Sequence, residues 1–189
     1  VEPCANVAKA AEEIGIPSLV KFFGVNTAEE MVADHVRADL LVGNNVLAHV
    51  PDLNDFVKGM KIILKPQGIV TMEFPHLMRL MAENQFDTIY HEHFSYFSFS
   101  IVNKIFDHHG LRIFDVDELS THGGSLRIYA KHAENGTKGV SEDVEKLLER
   151  EATEGFENLK LYVTFNQKVQ LTKRFILDFM VRTKNSGKS

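Results

Sequence analysis

Apolar residues recur at helical spacing over residues 5–14: Ala5, Val7, Ala8, Ala10, Ala11 and Ile14, with Gly15 and Pro17 ending the run. The short apolar stretch SLVKFFG (18–24) predicts a buried strand. TAEEMVADHV (27–36) predicts a helix capped by Asn26 or Thr27, with Glu29 and Glu30 in its first turn, where the macrodipole favours them. ADLLVGNNV (38–46) reads as a second buried strand ended by Gly43. PDLNDFVKGMKIILKPQG (51–68) places Phe56, Val57, Met60 and Ile63 on one helical face and is closed by Pro66 and Gly68. GIVTMEFP (68–75) is a third strand. Strands and helices thus alternate with short connections, which predicts a parallel α/β sheet.

Residues 75–98 break the rhythm. They mix aromatic and polar groups and are too long for a simple crossover. SIVNKIFDHHG (100–110) predicts a helix stopped at Gly110, with His108 and His109 suited to its C-terminus. LRIFDVDEL (111–119) and GGSLRIYAKH (123–132) read as two strands joined by STHG, an antiparallel pair that makes the sheet mixed. Past residue 138 the chain is charged and helical. Apolar positions at 156, 159 and 163, then 171, 175 and 179, predict one or two helices that pack on another domain or a partner. The closing GKS lacks the preceding glycines of a phosphate loop and is not read as one.

Composition narrows the function. The net charge of −5 gives no basic footprint for nucleic acid, and no apolar run is long enough to span a membrane. A single cysteine, Cys4, excludes a disulfide framework and a multi-cysteine zinc site. With no leader pattern visible, the expected location is the cytoplasm.

Polar groups fall at three expected strand ends: Glu2, Asn44 with Asn45, and EFP at 73–75. Doubly wound sheets bind ligands at such ends. An acid in the position of Glu2 can accept both hydroxyls of a ribose. The densest chemistry is YHEHFSYFS (90–98). Alternate residues of an extended segment share a face, so His91 and His93 could converge, but two ligands do not make a metal site, and the expectation is no metal. The other readings are a packed aromatic corner and a set of acids and bases around a substrate.

The strings VEPCANVA, ADLLVGNNVLAHVPDLNDFVKGMKIILKPQGIVTMEFPHL, NQFDTIYHEHFSYFS and THGGSLRIYAKH together resemble the S-adenosylmethionine-dependent sugar C-methyltransferases. These methylate C3 of a nucleotide-linked 4-keto-deoxyhexose. The resemblance runs over residues 1–135. It implies a class I methyltransferase core, α/β and Rossmann-like, with a mixed sheet. It also implies that this chain lacks the first strand and glycine loop. Residues 1–135 would be a partial core. Residues 136–189 would be a helical extension leading toward a further C-terminal domain, with another domain on the amino side of the same polypeptide.

The same resemblance implies site residues. Glu2 would hold the ribose of S-adenosylmethionine, with Phe23 and Asn44 beside it. Asn45, His122, Gly123 and Gly124 would face a nucleotide-sugar substrate. His93 would be the catalytic base, Glu92 and Tyr90 would orient imidazole or sugar, and His49 would stand as an alternative base. Two other readings remain open at this point. One is an O- or N-methyltransferase acting on another small metabolite. The other is a non-catalytic fragment that binds a nucleotide-like ligand.

Overall fold

The computed structural model describes residues 1–187. Lys188 and Ser189, part of the terminal GKS string, lie outside them. Its helices are α1 (Ala5–Glu13), α2 (Val25–Ala33), α3 (Leu53–Ile63), α4 (Leu77–Ala82), α5 (Phe99–His108), α6 (Glu142–Glu154) and α7 (Leu159–Asn185). Four strands, β1 (Ala38–Asn44), β2 (Leu64–Pro75), β3 (Leu111–Leu119) and β4 (Ser125–His132), form one sheet in the order β1-β2-β4-β3. β1 and β2 are parallel, and β4 runs antiparallel to both β2 and β3. The mixed sheet expected from the sequence is therefore present.

The central strand explains the core. Val70, Met72 and Phe74 of β2 are fully buried. The α3 face formed by Phe56, Val57, Met60 and Ile63 is buried as its spacing required. Phe99, Val102 and Phe106 of α5, with Val144 and Leu147 of α6, join the same apolar cluster.

Three local expectations are corrected. Residues 18–24 form no strand, and Phe22 is 81% exposed. A strand needs a neighbour along its edge, and this segment is held to Glu2 by one backbone bond, from Glu2 N–H to the Leu19 carbonyl. β1 is an edge strand, not a buried one: Leu41 packs on the core, while Leu40 and Val42 are each 58% exposed. An apolar run suits a strand covered on both faces, and here one face opens into a cleft. Lastly, α2 begins at Val25 after Gly24, so Glu29 and Glu30 fall beyond its first turn. Its cap comes from another helix, through the Asp55 carboxylate, which accepts from Val25 N–H at 3.2 Å. Thr27 instead donates its hydroxyl to the Phe22 carbonyl. A Cβ on Gly59 of α3 would sit 2.7 Å from the Gly24 backbone, so α2 and α3 approach this closely only with a glycine there.

α3 ends at Ile63, earlier than Pro66. Proline disfavours helical geometry in the residue before it, and the chain has already left the helix by Lys65. Two helices follow residue 138, separated by Gly155 in the left-handed conformation that ends α6. The first half of α7 docks on this chain itself. Leu161 and Phe165 pack with Leu80, Met81 and Phe156, and Lys168 Nζ donates to the carbonyls of Met81 and Ala82. Further along, Phe175 and Phe179 are exposed. No described helix is long and apolar enough to cross a membrane.

Candidate active site

The site grows from the carboxyl end of β1. After Asn44 the chain must turn at once. Asn45 adopts a left-handed φ of 54°, which asparagine tolerates better than most residues. Its N–H donates to the Glu73 carbonyl on β2 at 2.8 Å. A single tight turn, Leu47–His49, follows, anchored by buried Leu47 and Ala48. This turn carries His49 and makes contact with residues 92–94. Phe94 N–H donates to the Ala48 carbonyl, and His49 Nδ1 lies 2.8 Å from the Glu92 carbonyl. A carbonyl only accepts, so His49 carries its proton on Nδ1, and Nε2 is its acceptor.

Residues 90–98 are both an aromatic corner and a cluster of titratable groups. Tyr96 is the inner pillar: its hydroxyl accepts from Tyr90 N–H at 3.0 Å, and its ring meets His93 edge-on. Phe97 is buried and bridges to His76 in parallel register, edge-to-face on Phe74. Against this wall His93 gathers two partners. The Tyr90 hydroxyl lies 3.1 Å from His93 Nε2, with the rings 4.4 Å apart. The His49 ring sits 4.8 Å away. Burial, and then the neighbouring His49, push the His93 imidazole below its ordinary pKa, against a smaller opposing pull from Glu92. The environment therefore favours the neutral ring over the protonated one. His93 Nδ1 is buried and has no hydrogen-bond partner among the described residues, so Nε2 is the nitrogen that can exchange a proton.

A second loop is fixed above the sheet from the β3–β4 side. His122, Gly123 and Gly124 all have positive φ (52°, 77° and 114°). A Cβ on Gly124 would come 2.8 Å from the Arg79 side chain. Glu73, buried at the end of β2, holds the loop. It accepts from the Thr121 hydroxyl at 2.9 Å and from Arg127 Nη2 at 2.7 Å. Burial works to raise the Glu73 carboxyl pKa, but these two bonds outweigh it and leave the group below the usual value. Gln85 donates to the Gly123 carbonyl. The Asn45 side-chain amide donates to His122 Nε2 at 2.9 Å. The turn at residues 45–49 thus touches both groups: Asn45 reaches His122, and His49 reaches the His93 segment.

The third part is a cleft of about 830 Å³ along the open side of β1. Glu2, Phe23, Asn44 and His49 all line it, with Phe22, Asp52 and Asp55. Glu2 Oε1 accepts from Cys4 N–H at 2.8 Å, which fixes the carboxylate at the start of α1. Phe23 packs edge-to-face on Phe56, while Phe22 is the exposed ring of the pair. A buried strand at 18–24 would have covered both rings; the resemblance placed Phe23 beside the cofactor.

The structure thus brings His93, Tyr90 and His49 together, joins Asn45 to His122, and gathers Glu2, Phe23 and Asn44 in one cleft. Glu92 differs from its expected placement. Its side chain is exposed, and it is its backbone carbonyl that orients an imidazole, that of His49. Sequence reasoning did not reach the roles of Glu73, Arg127 and Gln85 in holding the loop. A charged residue inside the apolar run VTMEFP was the signal for Glu73. The distant partners had none.

The mixed α/β sheet is that of the class I S-adenosylmethionine-dependent methyltransferase fold. Solved structures agree. A methyltransferase bound to the Trm112 activator from Haloferax volcanii superposes with a TM-score of 0.54, at 12% identity, over 69% of this chain and 70% of that one. A SAM-dependent methyltransferase from Thermotoga maritima gives 0.53, at 17% identity, over 69% and 71%. By sequence, residues 1–116 match the methyltransferase-domain family, and the chain belongs to it. Residues 120–189 match the C-methyltransferase C-terminal domain. Among curated relatives, the C-methyltransferase NovU of Streptomyces niveus is 36% identical over 165 residues. That match covers 87% of this chain and 39% of the relative, so the chain spans well under half the relative's length.

Proposed function

We propose that the protein to which this chain belongs transfers a methyl group from S-adenosylmethionine to carbon, on a nucleotide-linked ketosugar, through an enolate. The observation that supports this most is the placement of the His93 imidazole, with Nε2 against the Tyr90 hydroxyl and His49 beside it. The likeness to a C-methyltransferase at 36% identity points the same way.

The cleft suits the cofactor's nucleoside. Its volume falls in the range of roughly 300–1,000 Å³ usual for small-molecule sites. Glu2 has one oxygen engaged by Cys4 and the other available for ribose hydroxyls. Phe22 and Phe23 offer apolar surface for a base, and Asn44 a polar contact. When bound, the cofactor supplies an electrophilic methyl on a sulfonium. The protein's own task is to make the carbon nucleophilic. His93 Nε2 takes the proton from the carbon next to the ketone; the C–H electron pair becomes the C=C bond of the enolate, and the carbonyl π pair moves onto oxygen. The Tyr90 hydroxyl donates to this developing oxyanion. The enolate carbon would then take the methyl as the methyl–sulfur bond breaks, its electron pair staying on sulfur as a neutral thioether; the ketone reforms, and the proton leaves His93 for solvent. Asn45, His122 and the glycines 123–124 form the wall where the sugar would lie.

Exchange tests this reading. In heavy water, the full-length enzyme and a 4-keto sugar nucleotide should exchange the C3 proton for deuterium, followed by NMR, even without methyl donor. An O- or N-methyltransferase would show no such exchange, and its absence would sink the proposal.

The cofactor assignment makes a separate expectation. Glu2→Ala in the full-length protein should weaken S-adenosylmethionine binding by about tenfold, the scale of one hydrogen bond to a charged group. Sugar nucleotide binding should barely change. Calorimetry showing equal losses for both ligands would reject the role of Glu2.

A further inference from the structure

One buried ionisable pair lies outside the groups described so far. Glu151, on α6, is 0% exposed, and His76, just past β2, is 1% exposed. Glu151 Oε1 lies 2.7 Å from His76 Nε2 and also accepts from Phe99 N–H at 2.7 Å. Its Oε2 accepts from Ser100 N–H at 2.8 Å. Phe99 and Ser100 open α5, so a carboxylate from α6 caps another helix at its positive end. Burial would raise the carboxyl pKa, but the His76 and backbone bonds overcome it and leave it lowered. A buried carboxylate with three donors is held rigidly, because losing any of them strands charge in a dry site.

What His76 touches gives the pair its reach. His76 N–H donates to the Gly124 carbonyl, in the loop proposed to face the sugar. His76 pairs in parallel register with Phe97, and Leu77 N–H donates to the Phe97 carbonyl, in the segment that carries His93. Phe97 is also followed directly by Ser98, which caps α5. One carboxylate therefore grips both ends of the connection: His76 on the sheet side, and the start of α5 just beyond residues 90–98.

We infer that Glu151 is a positioning residue, which through His76 and the start of α5 sets the placement of residues 90–98 and of the 121–124 loop from the C-terminal helical part of the chain. Its catalytic consequence rests on the reading of His93 as base. Glu151 touches no substrate. Its effect is on where the imidazole stands.

The test is Glu151→Gln in the full-length enzyme. Glutamine keeps the size but turns one acceptor into a donor facing N–H groups. The expected result is a kcat lower by about five- to tenfold, a fraction of the roughly 100-fold that a full 1 Å misplacement can cost. S-adenosylmethionine affinity should hold. The His93 ring, followed by NMR titration, should move up toward its ordinary pKa as the segment loosens. A lower melting temperature with unchanged kcat and unchanged His93 titration would overturn the inference. If Glu151→Gln does not fold, His76 decides. His76→Gln retains a donor near Nε2 and should behave as wild type, whereas His76→Phe should reproduce the loss. Wild-type kcat and His93 titration in both would overturn it equally. Full activity of His93→Asn would instead reject the base assignment, and the His93 titration would still report on Glu151.

Discussion

Replacing His93 with asparagine in the full-length enzyme is expected to leave S-adenosylmethionine and the sugar nucleotide bound while abolishing both methyl transfer and C3 proton exchange. Asparagine retains a polar group against Tyr90 but cannot accept a proton. A positioned general base contributes roughly 10²- to 10⁴-fold, so the residual rate should fall near the limit of detection. Exchange followed in heavy water separates loss of the base from loss of methyl transfer. Exchange at the wild-type rate would show that His93 is not the base, and His49, with Nε2 as its acceptor, would be tested next.

The lowered His93 pKa adds a pH signature with a definite sign. A base must be unprotonated to act. Burial and His49 disfavour the protonated ring, so His93 stays competent below the ordinary histidine pKa of about 6.5. The acid limb of kcat/KM should therefore lie below that value. An inflection at or above it would mean that another group, or a differently placed His93, controls the rate.

How much of this was legible in the sequence depends on the range of the interactions. The apolar face of α3 and the antiparallel pair β3–β4 followed from periodicity, because each repeats within its own segment. The 18–24 segment and the burial of β1 did not. Both depend on whether something lies alongside, and an apolar run carries no record of its neighbour. At the site, YHEHFSYFS and THGG stood out by composition, but their mutual arrangement depends on contacts between distant residues. His49 meets Glu92 across 43 positions and Glu73 meets Arg127 across 54. Glu151 looked like one more surface charge in a helix rich in them. Only the fold turns that position inward, against His76 and the start of α5.

The second large effect is expected at Glu73, which no substrate atom need touch. Its carboxylate ties the 121–124 loop to the end of β2, accepting from Thr121 in the loop and from Arg127 on β4. Glu73→Gln keeps the volume but cannot accept at both oxygens. Either Thr121 or Arg127 then faces an amide N–H. The loop conformation is demanding, with three successive residues at positive φ, so it depends on outside restraint. Once released, His122 would leave Asn45 and the glycines would lose the shape that lets backbone approach a ligand. Losing the Thr121 bond, made to a charged acceptor, corresponds on its own to roughly 10- to 100-fold. The loss should appear in KM for the sugar nucleotide. Cofactor affinity should not change, since Glu2, Phe23 and Asn44 line a cleft that Glu73 does not enter. Arg127→Lys should recover part of the loss that Arg127→Ala produces, because it restores a cation to Glu73 without the planar fork. Steady-state kinetics with each ligand varied in turn would read this out. Equal weakening of both ligands would instead place Glu73 in the general stability of the sheet.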